Sequence, residues 1–422
     1  MLVSFSVSNY RSFRDQAVLD LRAPHGRASG AKPWDGNIQS VAAVYGANAS
    51  GKTSLFNAVK AMADQVSQSY RSRVQPSEPF AFDEVSRTRP TEFSATFIAP
   101  DGICYAYGFG LLGGLVVDEW AERYSTARPT LLFQRDQMGV KFGKALKGAN
   151  QAVERIMRPD ALYLSAAAAA EHDGLAPLYQ WFAGRLLLFP ALIHRQLINQ
   201  VLAVLDKDPA HRQRVTDILI RADLGLVGVE ATRRESFDSD RREDQTLLKM
   251  LSQFVGRNLS MDPADDDEFE AFATHVANGQ TYRLPLDLES DGTRAMLCHA
   301  YIIDLALREG STLVFDELDT SLHPLLVREL VRLFQDRRSN SEQAQLIFTT
   351  HDVSLLEAGY GDGAQLGRDE VWLTDKDDSG RSSLTPLADF GPRTRENLAR
   401  RYLSGRYGGV PDQLDLFDPA LV

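Results

Sequence analysis

Residues 2–22 alternate apolar and polar positions on either side of a turn at Asn9–Phe13, which predicts two strands. VAAVYG at 41–46 is an unbroken apolar run closed by a glycine, the pattern of a buried strand. Leu55, Val59, Met62 and Val66 follow at i, i+4, i+7 and i+11, so the next segment reads as a helix with one apolar face. Between about 80 and 145, short alternating stretches such as TEFSATFIA, YAYGFGLL and LVVDEWAERY are separated by Asp-Gly and Gly-Gly turns, which predicts antiparallel sheet. From about 150 to 260 the pattern is mainly helical, with an alanine run at 166–170 and amphipathic segments around 195–220 and 245–257. It ends in an acidic loop, DPADDDE at 262–268.

Apolar strands return at Thr312–Phe315 and Gln345–Thr349. The helix after His323 places Leu326, Leu330 and Leu333 on one face, so strand, helix and strand form a βαβ unit. The expected fold class is therefore α/β, a three-layer domain split by an insertion. Its expected parts are 1–150 with an antiparallel β-subdomain, an inserted helical subdomain at 151–265, and a second lobe at 266–422. No internal repeat or sustained heptad is visible, which argues against a long coiled-coil arm.

Composition changes this picture little, since 44% hydrophobic and 24% charged residues are ordinary for a folded chain. The first residues read as a strand rather than a signal peptide, and no apolar run approaches the ~18 residues needed to cross a bilayer. Cys104 and Cys298 stand apart with no CxxC pattern, which argues against a zinc site or disulfide framework. A cytoplasmic setting is expected. The net charge of -11 weighs against coating of nucleic acid by bulk charge, although a local basic groove stays open.

The chemistry begins at GANASGKT (46–53), which matches G-x-x-x-x-G-K-[ST] between a buried strand and an amphipathic helix. Backbone N–H groups from Asn48 through Ala49, Ser50, Gly51 and Lys52 to Thr53 can face a β-phosphate, aided by the helix dipole, and Gly46 and Ser54 are counted with them as nucleotide-binding. Lys52 would reach the β- and γ-phosphates, and the Thr53 hydroxyl would ligate Mg2+. TLVFDE (312–317) sets two carboxylates at a strand end: Asp316 to hold Mg2+ through water, Glu317 to orient or deprotonate an attacking water. Taken alone, such a pair can merely solvate a turn. QLIFTTHD (345–352) puts His351 at the end of a neighbouring strand, in plausible reach of the γ-phosphate. LESDGTRAML (288–297) lets Ser290 cap a helix whose apolar face is Met296, Ala300, Ile303 and Leu307, leaving an outward N-terminus.

On these motifs the chain resembles ABC-type P-loop ATPases of the SMC, RecF, RecN and OLD kind. Within them it is similar to the prokaryotic "AAA domain, family fifteen" group found among abortive-infection ATPases such as the AbiL type. NYRSF (9–13) resembles the N-terminal motif whose arginine, here Arg11, approaches the nucleotide. ESDGT (289–293) resembles the signature written LSGGQ, with Ser290 and Gly292 kept but Glu289 and Asp291 where Leu and Gly are common. FDELDTSLHP (315–324) resembles Walker B running into the D-loop, which makes Asp319 the D-loop aspartate and His351 the switch histidine. PFAFDEVSR, LYLSAAA and RYLSGRYGG are also similar to segments of the group. The Q-loop glutamine is unmarked, with Gln68 and Gln75 as weak candidates.

The resemblance implies ATP and Mg2+ bound in a head-to-tail homodimer or larger assembly, the signature of one copy completing the site of the other. Two roles compete. One is the sensor or scaffold of an antiphage module that controls a separate effector encoded nearby. The other is a RecF- or SMC-like clamp on double-stranded DNA, for which the basic features are Arg393, Arg395, Arg400, Arg401 and Arg406, with Arg233, Arg234, Arg241 and Arg242 in the insertion. A third reading is a nucleotide-gated scaffold with negligible hydrolysis. About 70 residues follow His351, reading as a strand pair and one basic helix, so an appended nuclease is not expected.

Overall fold

The computed structural model describes residues 1–23, 38–72, 78–126, 128–191, 195–234, 268–357, 366–392 and 396–410. The chain divides into two compact units, Met1–Phe182 with Leu346–Val422, and Ala183–Gln345. Elements of the first unit before the division are β1 (Leu2–Ser8), β2 (Ala17–Asp20), β3 (Val41–Gly46), α1 (Lys52–Gln68) and α2 (Glu84–Arg87). They continue with β4 (Thr91–Ile98), β5 (Cys104–Leu112), β6 (Leu115–Tyr124), β7 (Thr130–Asp136) and β8 (Gly139–Phe142), then α3 (Asn150–Ile156), α4 (Tyr163–Ala169) and α5 (Ala176–Gln180). The second unit contains β9 (Leu186–Phe189), α6 (Arg195–Lys207), α7 (Pro209–Arg221), β10 (Leu226–Arg234), β11 (Glu268–Ala277) and β12 (Gln280–Pro285). It then has α8 (Asp291–Glu309), β13 (Thr312–Phe315) and α9 (Pro324–Gln335). The chain returns to the first unit through β14 (Gln345–Thr349), β15 (Val371–Lys376), β16 (Ser382–Pro386) and α10 (Leu398–Leu403).

In the first unit, a seven-stranded antiparallel sheet runs in the order β2-β1-β4-β5-β6-β7-β8. The alternation in TEFSATFI becomes the burial pattern BeBiBiBi along β4, so one face of that strand meets the core. Phe97 stacks on Trp181 with ring centroids 4.2 Å apart, and Phe182 packs edge-on against Phe97 and Tyr107. Beneath this sheet the buried Glu119 accepts the N–H groups of Tyr163 and Leu164 at 2.6 and 3.0 Å, capping α4, and pairs with Arg135 at 3.4 Å. The unit's second sheet has β3 at its centre, parallel to β14 on one side and to β15 on the other, with β16 antiparallel on β15. All six residues of β3 are buried, as its apolar run requires of a parallel strand covered on both faces. Leu55, Val59, Met62 and Val66 are all buried along α1.

In the second unit, β13 pairs in parallel with β9. The region read as mainly helical thus also supplies LLLF at 186–189 as a strand, a run bounded by Arg185 and Pro190. β10, β11 and β12 form a separate antiparallel sheet, and Asn278-Gly279, both at positive φ, makes the tight turn joining β11 to β12. α8 is buried along most of its circumference and ends at Gly310, φ 62, where a Cβ would stand 2.4 Å from the Glu342 carbonyl. α9 buries Val327, Leu330, Val331 and Phe334, so of the expected stripe Leu326, Leu330 and Leu333 only Leu330 is buried. Those buried positions keep the i, i+3, i+4, i+7 spacing, so the face is rotated from the one read by leucines alone. The amphipathic segment at 245–257 and residues 262–267 of the acidic loop lie outside the described residues. Among the described residues no helix is long and apolar enough to cross a membrane.

Candidate functional site

The candidate groups fall in both units, and each half is built by local geometry. In the first unit β3 ends at Gly46 between two parallel neighbours, with Val44 opposite Thr349 and Gly46 opposite Thr374. The loop 46–53 therefore leaves the C-terminal edge of a central strand, where open α/β sheets hold ligands. Ala49 at φ 63 and Gly51 at φ 126 turn it back into α1. Lys52 is buried and donates to the carbonyls of Gly46 at 2.8 Å and Ala47 at 2.9 Å, so its ammonium lies curled inside the loop. α1 starts with no side-chain cap and no acidic residue in its first turn. Its first turn therefore brings no carboxylate of its own against the positive end of the helix dipole. Asn48, Ala49 and Thr53 are exposed at this end, while Ser50 is buried.

The NYRSF turn lies against the same helix end, because the Ser12 hydroxyl donates to Ser54 Oγ at 3.1 Å. Asn9 fixes that turn: its side-chain amide donates to the Ser86 carbonyl at 2.7 Å and accepts from the Phe80 N–H at 3.2 Å. Arg11, at φ 48, is half-exposed and forks onto Glu78, Nε to Oε2 at 2.7 Å and Nη2 to Oε1 at 3.3 Å. Reaching a phosphate would require it to leave that carboxylate. Thr350 N–H donates to the Val44 carbonyl at 3.1 Å, which sets the exposed His351 one strand away from the phosphate loop on the same sheet edge. Gln68 ends α1, about 24 Å along the helix from its start at 1.5 Å per residue, and is thereby removed from the phosphate end. Gln75 lies outside the described residues.

In the second unit β13 delivers Asp316, only 5% exposed, whose N–H donates to the Phe189 carbonyl at 2.9 Å. Glu317 follows in the left-handed region at φ 54, and its Oε2 accepts from the Thr320 hydroxyl at 3.1 Å. That backbone costs about 1 kcal/mol for a residue with a Cβ, and strain of this kind gathers where a side chain must be aimed. The turn continues through the half-buried Asp319 to Ser321 at φ 65. Ser290 caps α8, accepting from Thr293 N–H at 3.1 Å, with the two hydroxyls 2.9 Å apart. A Cβ on Gly292 would stand 2.9 Å from the Ser321 carbonyl, so the ESDGT and FDELDTSLHP segments approach this closely within the unit because residue 292 is glycine. Asp291 pairs with Arg294, and Glu289 Oε1 pairs with His275 Nε2 at 2.6 Å, the other ring nitrogen lying 3.0 Å from the Gly225 carbonyl. The unusual Glu289 thus has a partner in β11, which no local sequence signal announced.

Farther along α8, His299 is fully enclosed, with ring centroids 5.5 Å from Phe189 and 4.7 Å from Phe315. Burial pushes its pKa down to about 3, so the ring is neutral. Burial also pushes the thiols of Cys104 and Cys298 up to about 12, which leaves both as unreactive core residues. Arg400 and Arg406 are exposed, and Arg401 pairs with Glu396. Arg393, Arg395, Arg241 and Arg242 lie outside the described residues, as do the side chains of Arg233 and Arg234. Sequence reasoning missed Thr374 and Ser382, whose hydroxyls touch the phosphate loop at Ser50.

A family model described as "AAA domain, putative AbiEii toxin, Type IV TA system" matches residues 41–357, well over half of the chain. It agrees with the resemblance at the level of class and gives an AbiEii-like rather than a family-fifteen description. No curated protein matches the sequence. Among solved structures, an SmcHead bound to the C-winged helix domain of ScpA is similar at 13% identity and TM-score 0.44, covering 91% of this chain and 97% of that one. The SMC head domain from Thermotoga maritima gives 13% identity and TM-score 0.40, covering 91% and 98%. The recombination mediator protein RecF with ATPrS, of the RecFOR pathway, gives 14% and 0.39, covering 91% and 98%.

Proposed function

This chain belongs to the AAA-domain family described as putative AbiEii toxin, Type IV TA system, and from that membership we propose an Mg-dependent ATPase that serves as sensor or scaffold of a prokaryotic abortive-infection system and controls a separate effector. The family and the motif order make it an ABC-type ATPase of the SMC and RecF class. The observation that carries nucleotide binding is the uncapped, acid-free start of α1 with Lys52 folded into its own loop. Such a helix end suits an anion, and Lys52 can exchange carbonyl acceptors in the loop for phosphate oxygens, which are stronger charge-assisted acceptors.

In this reading the loop from Gly46 to Ser54 cradles the phosphates of ATP. Thr53 and Asp316 are oxygen donors of the hard kind that would hold Mg2+, the aspartate through water; the bound ion supplies charge neutralisation at the phosphates. Glu317 orients and deprotonates the attacking water, and Arg11 and His351 contact the γ-phosphate. Ser290, Gly292 and Asp319 come from a second copy, head to tail, so that one helix end excludes water from a phosphate held by the other copy. The test is light scattering of Glu317→Gln with and without Mg-ATP. A doubled mass with ATP supports the reading, and an unchanged mass rejects the ATP-driven dimer.

The exposed Arg400 and Arg406 favour a second reading, a DNA clamp. A salt-dependent shift of duplex DNA that disappears in Arg400→Glu would select it, whereas co-purification with the product of a neighbouring gene would select the sensor. Wild-type phosphate release no higher than the Lys52→Ala blank would leave a nucleotide-gated scaffold.

A further inference from the structure

Behind the phosphate loop, groups from the last part of the chain close on its backbone. Thr374 Oγ1 donates to the Tyr45 carbonyl at 3.2 Å and lies 2.6 Å from Ser50 Oγ, both hydroxyls buried. A threonine hydroxyl has one hydrogen, so with that hydrogen on Tyr45 the Ser50 hydroxyl is the donor to Thr374. Ser382 Oγ donates to the Ser50 carbonyl at 2.6 Å. The Tyr402 hydroxyl donates to the Gly409 carbonyl at 2.9 Å, and the Tyr402 ring meets Tyr45 edge-on at 5.5 Å. Gly409, at φ 70, lies close against the loop: a Cβ would come within 3.3 Å of the Thr374 carbonyl and 3.4 Å of Gly46 Cα. Gly46 is tighter still, since a Cβ there would stand 2.3 Å from Thr374 Oγ1.

These contacts have a geometric consequence for the loop. In a trans peptide the carbonyl and the following N–H point in opposite directions. Holding the Ser50 carbonyl toward Ser382 therefore turns the Gly51 N–H the other way, away from Ser382. The Ser50 side chain, tied to Thr374, leaves this peptide plane little freedom to rotate. Thr374, Ser382, Tyr402 and Gly409 all follow residue 357, where the family match ends.

We propose that Thr374, Ser382 and the strap at 398–410, anchored by Tyr402 and Gly409, are positioning elements of the phosphate loop, so that nucleotide affinity and the seating of the strap are coupled. The proposal rests on the phosphate-loop reading of residues 46–54, and the basic run of the strap becomes the outside of a buttress. A bound phosphate would favour the aimed peptide plane, and the aimed plane favours the seated strap; by linkage each stabilises the other.

The experiment titrates a fluorescent ATP analogue with Mg2+ into the full chain and follows amide exchange at 402–410. Wild type against Lys52→Ala first tests the phosphate-loop reading: equal, negligible binding in both would defeat that reading and this proposal together. Given binding by wild type, Ser382→Ala and Thr374→Val are expected to weaken affinity about tenfold each, the scale of one aimed hydrogen bond, with Thr374→Ser restoring it to within about twofold. Nucleotide should slow exchange at 402–410 in wild type. Unchanged affinity in Ser382→Ala and Thr374→Val, or equal loss in Thr374→Ser and Thr374→Val, overturns the positioning role while the loop reading stands. Exchange indifferent to nucleotide overturns the coupling, and it does so in wild type, where folding of a variant is not at issue.

Discussion

Two helix starts in this protein are finished in opposite ways. α1 opens with Gly51 at its cap, which offers no side chain to its N–H groups, and no acid in its first turn, whereas α8 is capped by its own Ser290 and carries Asp291 at its first position. In the proposed reading the first receives the phosphates. The second spends its serine hydroxyl on Thr293 and places a carboxylate, paired with Arg294, where a phosphate would approach. Both can serve one nucleotide, but not equally: the loop around Lys52 should dominate affinity, and the segment around Ser290 should add a weaker, dimer-dependent grip.

The sharpest way to break this comparison is Lys52→Ala. Losing a charge-assisted donor to two phosphates should cost about 3 kcal/mol, on the order of a hundredfold in ATP affinity, measured by titration calorimetry. A smaller loss from Lys52→Ala than from a substitution at Ser290 would invert the ranking. A middle-sized effect concerns the buried length of α8. His299 is neutral when folded, with a pKa near 3, and regains its ordinary value near 6.5 when unfolded. Below pH 6.5 the unfolded chain binds a proton that the folded one refuses, so stability falls as pH drops from 6.5 toward 3. At pH 5.5 this amounts to about 1.4 kcal/mol. His299→Leu should flatten that part of a thermal-melt profile, and an unchanged slope would place the acid sensitivity elsewhere. The smallest effect is expected from Asp291→Asn. Removing one negative charge at a helix start is worth about 0.3–1 kcal/mol, so ATP-driven association should tighten a few-fold, read by sedimentation in a Glu317→Gln background. Weaker association would mean that the aspartate helps rather than opposes the phosphate.

The parts legible in the sequence were those fixed by short spacing. The buried run at 41–46, the glycines and lysine after it, and the apolar face of α1 are all local patterns, and the coordinates place them together. The cap at Ser290 was readable for the same reason. β9 was not, because LLLF becomes a strand by pairing with β13, far along the chain, and four apolar residues also suit a buried helix. The β11–β12 turn did carry a signal, Asn278-Gly279 between alternating stretches, that went unread. RYLSGRYGG was read by its arginines, while its structural content lies in Tyr402 and Gly409, whose partners Tyr45, Gly46 and Thr374 are remote in sequence.

The central claim is that the serine-led helix end acts on a nucleotide held by another copy. Mixing two inactive proteins tests it most directly: Lys52→Ala, which spoils the loop, and Ser290→Arg, which spoils the signature. In a head-to-tail dimer each mixed pair keeps one site with both halves intact, so phosphate release should recover to roughly a quarter of wild type at equal mixing. No recovery above the two separate proteins, under conditions where mixed dimers are seen to form, would contradict the account.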